Sequence, residues 1–163
     1  MKRKYLILFS LSGLILTCDQ LAKHLVHTFF QLNESRPVFG PFISLTYLRN
    51  SGFGFGLFEN TSTPFRGAFV VGIPVFALFL ILLIFIKLRD NQILTSVALT
   101  TILGGAIGNL IDRIKYGYVI DFLDISWSQK FSLPPFNIAD CSILVGVAIM
   151  FINTLLIERN RAL

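Results

Sequence analysis

Two aspartates that lie in apolar stretches far apart in the chain are the residues best suited to do chemistry: Asp121 in Val119-Ile120-Asp121-Phe122 and Asp140 after Phe136-Asn137-Ile138-Ala139. Two carboxylates brought together in apolar surroundings share a proton, because desolvation and mutual repulsion raise one pKa while the other group stays ionised. Such a pair can deprotonate a water and protonate a leaving amine. Each residue alone also has a plainer reading, Asp140 as a helix cap and Asp121 as a surface charge, and Asp124 is a rival partner for the pair. Gly105, Asn109 and Arg113 step by fours and so share one face of a helix. An Asn and an Arg turned into a bundle interior could grip a peptide backbone, although Asp112 and Arg113 could instead neutralise each other. Gly104 and Gly108 form the small-xxx-small pair that lets helices pack closely in lipid. Asp19 and Lys23 are i,i+4 neighbours and read as a structural ion pair, since a carboxylate at membrane depth costs about 2.5 to 3.5 kcal/mol and needs a partner. No serine/histidine pairing is evident, and His24 and His27 read as solvated residues at the membrane interface. Cys18 and Cys141 show no CxxC or Cys/His spacing, so neither a metal ligand set nor a disulfide framework is indicated, and no cofactor is expected.

The elements that must position these residues follow from composition. Residues of the AVILMFWYC set make up 54% of the 163, and charged residues only 14%, against roughly 25% in soluble domains. Mean hydropathy is +0.72. Disorder, collagen-like repeats, coiled coils and a disulfide-stapled module are excluded, and an integral membrane protein remains. Uncharged runs at Tyr5–Cys18, Gly67–Ile86, Ile93–Ile111 and Cys141–Ile157, set against the roughly 20 residues that cross a bilayer, predict helices at approximately 5–27, 67–86, 92–113 and 139–158, with longer connections at approximately 28–66 and 114–138. The first run spans only if the helix continues through Asp19 and Lys23. Met1 to Cys18 could be misread as a lipoprotein signal peptide, but Thr17 is bulky for the residue before such a cysteine, so a retained helix is expected. Lys2-Arg3-Lys4, Lys87 with Arg89, and Arg159 with Arg161 form dense basic clusters, which the positive-inside rule assigns to the cytoplasm together with both termini. These clusters account for the pI of 9.5, and no basic stripe argues for nucleic acid. In the outer connections, Phe42 to Leu48 alternates like a half-buried strand and Tyr118 to Ile125 reads as a second, while Phe53 to Phe58 fits an interfacial segment. The expected architecture is therefore one all-α membrane domain over residues 1–163, a four-transmembrane-helix bundle with a small extracytoplasmic β-sheet and an interfacial segment.

The blocks Asp19-Gln20-x-x-Lys23, Arg49-Asn50-x-Gly52, Gly105-x-x-Gly108-Asn109-x-x-Asp112-Arg113, Val119-Ile120-Asp121-Phe122 and Phe136-Asn137-Ile138-Ala139-Asp140 occur in the order and spacing of the lipoprotein signal peptidases, the type II signal peptidases of bacteria. The chain resembles that family over nearly its whole length. The resemblance implies an aspartic endopeptidase of the bacterial inner membrane that cuts a prolipoprotein before its diacylglyceryl-modified cysteine. It implies Asp121 and Asp140 as the catalytic pair, one acting as general base on water and the other, protonated, polarising the carbonyl and then supplying a proton to the departing nitrogen. Asn50, Asn109, Arg113 and Asn137 are implied around the substrate, with Gly105 in the same block. Phe53 and Gly54 stand where the family usually has two alanines. The expected partners are diacylglyceryl-prolipoproteins and membrane lipid, with no nucleic acid, and a monomer is expected. The alternative is a small protein conducting protons or cations along intramembrane carboxylates, which would spread acidic residues through the membrane; here they gather near the outer ends of the helices.

The topology is open to direct test. Reporter fusions after Arg89 and Arg161 are expected to report cytoplasm, and fusions near Glu59 and Lys130 the outside; an outside C-terminus would remove the common surface on which Asp121 and Asp140 meet.

Overall fold

The computed structural model describes residues 2–51, 63–128 and 131–161. Four helices long and apolar enough to cross a membrane are present: α1 (Arg3–Phe29), α2 (Thr63–Lys87), α3 (Ile93–Tyr116) and α4 (Ile138–Arg161). Between α1 and α2 run β1 (Ser35–Phe39) and β2 (Ile43–Asn50), and between α3 and α4 run β3 (Val119–Ser128) and the two-residue β4 (Phe131–Ser132). The strands lie in the order β1-β2-β3-β4, antiparallel throughout. The chain is thus a multi-pass membrane protein with a small sheet, and α1 does continue through Asp19 and Lys23. Each helix reaches past its apolar run. The expected interfacial segment at Phe53 to Phe58, including the departure at Phe53 and Gly54, lies outside the described residues.

Close contact in the bundle rests on glycines of α3 and α4. A Cβ on Gly105 would stand 2.3 Å from the Ala139 carbonyl oxygen, and one on Gly146 2.7 Å from the Ala98 carbonyl oxygen. Gly104 instead faces α1, where a Cβ would meet Ile15 and the Ser12 backbone at 3.2 Å. Lipid supplies no hydrophobic drive between helices, so backbone approach of this kind carries the packing. At the far end Lys4 donates to the carbonyls of Ile86 (2.8 Å) and Leu88 (2.7 Å), placing a cation on the open carbonyls that finish α2. The start of α1 and the end of α2 therefore share one end of the bundle, and Lys4 is a buried bond donor, not a solvated member of its basic cluster.

The sheet departs from the simple alternation that the sequence suggests. The β2–β3 register shifts between Leu45, opposite Leu123, and Leu48, opposite Asp121. Consequently Thr46 and Tyr47 are both buried although adjacent, Thr46 bonding Ser35 Oγ at 2.8 Å. Tyr47 meets His27 Nδ1 through its hydroxyl at 2.6 Å, and Arg49 Nε donates to the same hydroxyl at 3.1 Å. His27 is thereby held by the sheet and is not simply solvated, whereas His24 is exposed as expected. Both cysteines are free thiols.

The α3–α4 contact makes a checkable demand. Gly105→Ala is expected to destabilise the protein by about 1 to 3 kcal/mol through overpacking against a backbone atom that cannot step aside, read as a lowered unfolding temperature in detergent, whereas Gly13→Ala, with nothing within 4 Å of the new Cβ, leaves it unchanged.

Candidate active site

The site forms where α1 and α3 finish and α4 begins. Gly117 ends α3 in the left-handed region at φ 79°, its N–H closing on the Arg113 carbonyl at 3.0 Å. That turn favours a residue without a side chain, and it sends the chain directly into β3, which carries Asp121. Asn137 precedes α4, and its Oδ1 accepts the Asp140 N–H at 2.9 Å while its own N–H donates to Asp140 Oδ2 at 3.3 Å. This is a capping box. The helix cap is therefore Asn137, and Asp140 occupies the third helical position, which corrects the plainer reading of Asp140 as the cap. That local motif leaves Asp140 Oδ1 free to accept from Asn109 Nδ2 at 2.8 Å.

Asp121 and Asp140 are brought to one place. Asn137 Nδ2 donates to Asp121 Oδ1 at 2.7 Å, so one side chain holds both aspartates. Asn50, at the end of β2, donates to Asp121 Oδ2 at 2.9 Å. Asp121 is 3% exposed. Burial, with the Asp140 charge adding to it, pushes its pKa up to about 6, against the lowering pull of the Asn50 and Asn137 bonds. Asp124, the rival, lies opposite Ser44 on β2, beyond the register shift from Asp121, with Ser126 Oγ at 3.5 Å. Arg113 lies within electrostatic reach of Asp140 and Asp121, and its Nε is buried with no hydrogen-bond partner among the described residues. Gly105 lies lower on α3, against the Ala139 carbonyl, and contributes by letting α4 approach.

Beneath the pair is a charged cluster that the sequence only half discloses. Lys23 Nζ is 2.9 Å from Asp19 Oδ2 and 2.9 Å from Asp112 Oδ2. Asp112 thus forms its ion pair with α1, while its charge also reaches Arg113; Gly108 and Asp112 form the row that faces α1. Gln20 Nε2 bridges to Asp112 Oδ1 at 3.0 Å and the Gly108 carbonyl at 3.2 Å. Each carboxylate then holds a backbone N–H next to one of the site aspartates. Asp19 Oδ1 accepts Ala139 N–H at 2.9 Å, and Asp112 Oδ2 accepts Ile120 N–H at 3.1 Å. Reading along the sequence misses Gln20 and this use of Asp112; the step of four from Gly108 was the available signal.

Beside Asp140 an apolar groove of about 440 Å³ runs between Leu133-Pro134-Pro135-Phe136 and the α4 residues Cys141 and Leu144. Leu133 and Leu144 are 56% and 70% exposed, so the groove opens on the lipid-facing side of the bundle.

Residues 11–156 match the family described as signal peptidase (SPase) II. The lipoprotein signal peptidase of Syntrophus aciditrophicus is 39% identical over 161 residues, covering 98% of this chain and 99% of the relative, and that of Moorella thermoacetica is 44% identical over 141 residues, covering 86% and 87%. A bacterial membrane enzyme solved by the in meso method superposes with a TM-score of 0.80 at 30% identity, covering 96% of this chain and 90% of that one. With a family match over most of its length and full-length relatives at this identity, the chain belongs to the signal peptidase II family of membrane proteases.

Proposed function

We propose that this protein is an aspartic endopeptidase that removes the signal peptide from diacylglyceryl-modified prolipoproteins by cutting before the lipidated cysteine, with Asp121 and Asp140 as its catalytic groups. The observation that carries the reading is the bonding of both aspartates to Asn137 at the end of a membrane bundle whose family is signal peptidase II. One carboxylate takes a proton from water as the water oxygen bonds to the scissile carbonyl carbon. The displaced carbonyl electron pair rests on oxygen, hydrogen-bonded to the protonated aspartate. That aspartate then gives its proton to the amide nitrogen, the C–N bond breaks, and the carbonyl re-forms as a carboxylic acid on the signal peptide. Transfer of the proton from the first aspartate to the second restores the pair. Raised to about 6, the Asp121 carboxyl helps the pair hold its single proton toward neutral pH. The unmatched Nε donor of Arg113 and the amide of Asn50 are suited to orienting the peptide backbone. The apolar groove beside Asp140 suits a substrate whose acyl chains stay in the bilayer. In this reading the site end faces outward from a bacterial inner membrane, the end with Lys4 and the basic clusters faces the cytoplasm, and the protein works as a monomer in lipid without cofactor or nucleic acid.

Incubation of purified protein with a lipidated prolipoprotein and its unlipidated form tests the function: cleavage of the lipidated form alone is expected, and equal cleavage of both would refute it. Asp121→Asn and Asp140→Asn each keep size but remove a base or proton donor, so each is expected to lower kcat by roughly 10² to 10⁴ with the fold intact, while Asp124→Asn stays substantially active. The double variant should be scarcely worse than either single one, since the pair acts as a unit. As pH rises through about 6 the proton needed by the pair is lost from Asp121, so kcat/KM in the free enzyme should fall on that basic side; a flat profile from pH 5 to 8 would contradict this assignment. Chelators should have no effect.

A further inference from the structure

Lys23, which the reading of Asp121 and Asp140 as a proteolytic pair leaves without a part, holds the orientation of one of the amides that serve that pair. Its ammonium has three protons and meets three acceptors: Asp19 Oδ2, Asp112 Oδ2 and Asn109 Oδ1, each at 2.9 Å. Lys23 is 2% exposed and Asp19 and Asp112 are no more so, so no water competes for these protons. Two carboxylates already exceed its charge; the third bond, to a neutral amide, is not needed for charge balance.

That third bond has a directional consequence. An ammonium only donates, so the Asn109 oxygen must face Lys23 and the amide NH₂ must face away from it. The NH₂ meets Asp140 Oδ1 at 2.8 Å. Asn137 Nδ2 also donates to Asn109 Oδ1, at 3.2 Å, so Lys23 is the shorter and the charged one of two donors that hold this oxygen away from Asp140; without the cation only the longer, neutral bond opposes a flip that would take the donor from Asp140. The second amide is oriented by the backbone, because the Asp140 N–H donates to Asn137 Oδ1 and turns Asn137 Nδ2 to Asp121. Asp140 thus receives a side-chain donor on Oδ1 and a backbone donor on Oδ2, in the first turn of α4 where the helix dipole favours negative charge. Asp121 sits on a strand and takes its donors from the side chains of Asn50 and Asn137. The charged and titratable groups facing Asp140 are Asp121 on β3, Arg113 on α3 and its neighbour Cys141 on α4; those facing Asp121 are Asp140 and Lys23, with Arg113 in reach of both aspartates.

We propose that Lys23 is a positioning residue that assigns the two catalytic roles: by pinning the Asn109 carbonyl it aims the amide donor at Asp140, which makes Asp140 the carboxylate that takes the proton from water and leaves Asp121 to carry the proton delivered to the departing nitrogen. The ion pair with Asp19 is then half of its work, and the bond to Asn109 the other half.

The test compares pH profiles of kcat for the full-length protein in detergent, acting on the same lipidated prolipoprotein peptide. Lys23→Gln with Asp112→Asn preserves the net charge of the cluster while removing the obligatory donor. Asn109→Leu removes the NH₂ that serves Asp140 and adds no charge, leaving Lys23 its two carboxylates, so it breaks the relay without a new repulsion at Asp140. Both are expected to lower kcat at least about tenfold with KM changed by less than about threefold, and to move the acid limb of the profile up by about one pH unit. A purely structural Lys23 would lower the unfolding temperature and leave the limb in place. The proposal is overturned if either variant, folded and inserted, keeps the wild-type acid limb; should the Lys23 variant fail to insert, Asn109→Leu alone decides in the same way. Since every comparison is with a wild type that cleaves this peptide, unmoved variants count against Lys23 alone, whereas the functional reading fails only if the wild type does not cleave.

Discussion

The buried ammonium of Lys23 is the constraint from which the rest of the site end follows. A charge removed from water costs several kcal/mol unless its partners are close and fully bonded, and here the partners come from two helices: Asp19 one turn earlier on α1, Asp112 and Asn109 on α3. Satisfying one cation therefore fixes how α1 and α3 lie at this end. The arrangement propagates because each counterion has further lone pairs. Asp19 uses its other oxygen on the N–H of Ala139, adjacent to Asp140, and Asp112 accepts the N–H of Ile120, adjacent to Asp121. One ion cluster thus holds the backbone beside both aspartates, although they lie on different elements.

Such a cluster can form only if the helices approach closely. On α3 a Cβ at Gly108 would stand 2.6 Å from Asp19 Oδ2, and one at Gly105 2.3 Å from the Ala139 carbonyl. The same glycines that pack the bundle therefore make room for the carboxylate and for the first turn of α4. Packing and electrostatics are not separable here: widening the α3–α4 contact would draw Ala139 from Asp19 and Asp140 from Asn109 together.

The sheet fixes the other half of the pair. β3 is held by Asp112 at its start and by β2 along its length, and β2 is anchored to α1 by the Tyr47 hydroxyl on His27. Arg49 stacks over the Tyr118 ring at 4.7 Å and donates to Tyr47, so the strand that presents Asn50 to Asp121 is tied down one residue earlier. The register shift in β2 puts Leu48 opposite Asp121 and leaves Asn50 two residues on, within diagonal reach of that carboxylate.

The sequence by itself determined the membrane class, the four spans and the two strands flanking the site, because hydrophobic run length and alternation are local properties. The Asp19–Lys23 pair was legible for the same reason: i,i+4 neighbours on one helix meet whatever the fold does. Only the tertiary structure decided that Asp112 pairs with α1 and holds the backbone of β3, that Asn137 and not Asp140 caps α4, and that one Asn137 side chain bonds Asp121 and Asp140 together. Each of those depends on which helix face meets which neighbour and on strand register. Both are set by packing between segments distant in sequence, where a rotation of one residue exchanges a partner for solvent or lipid.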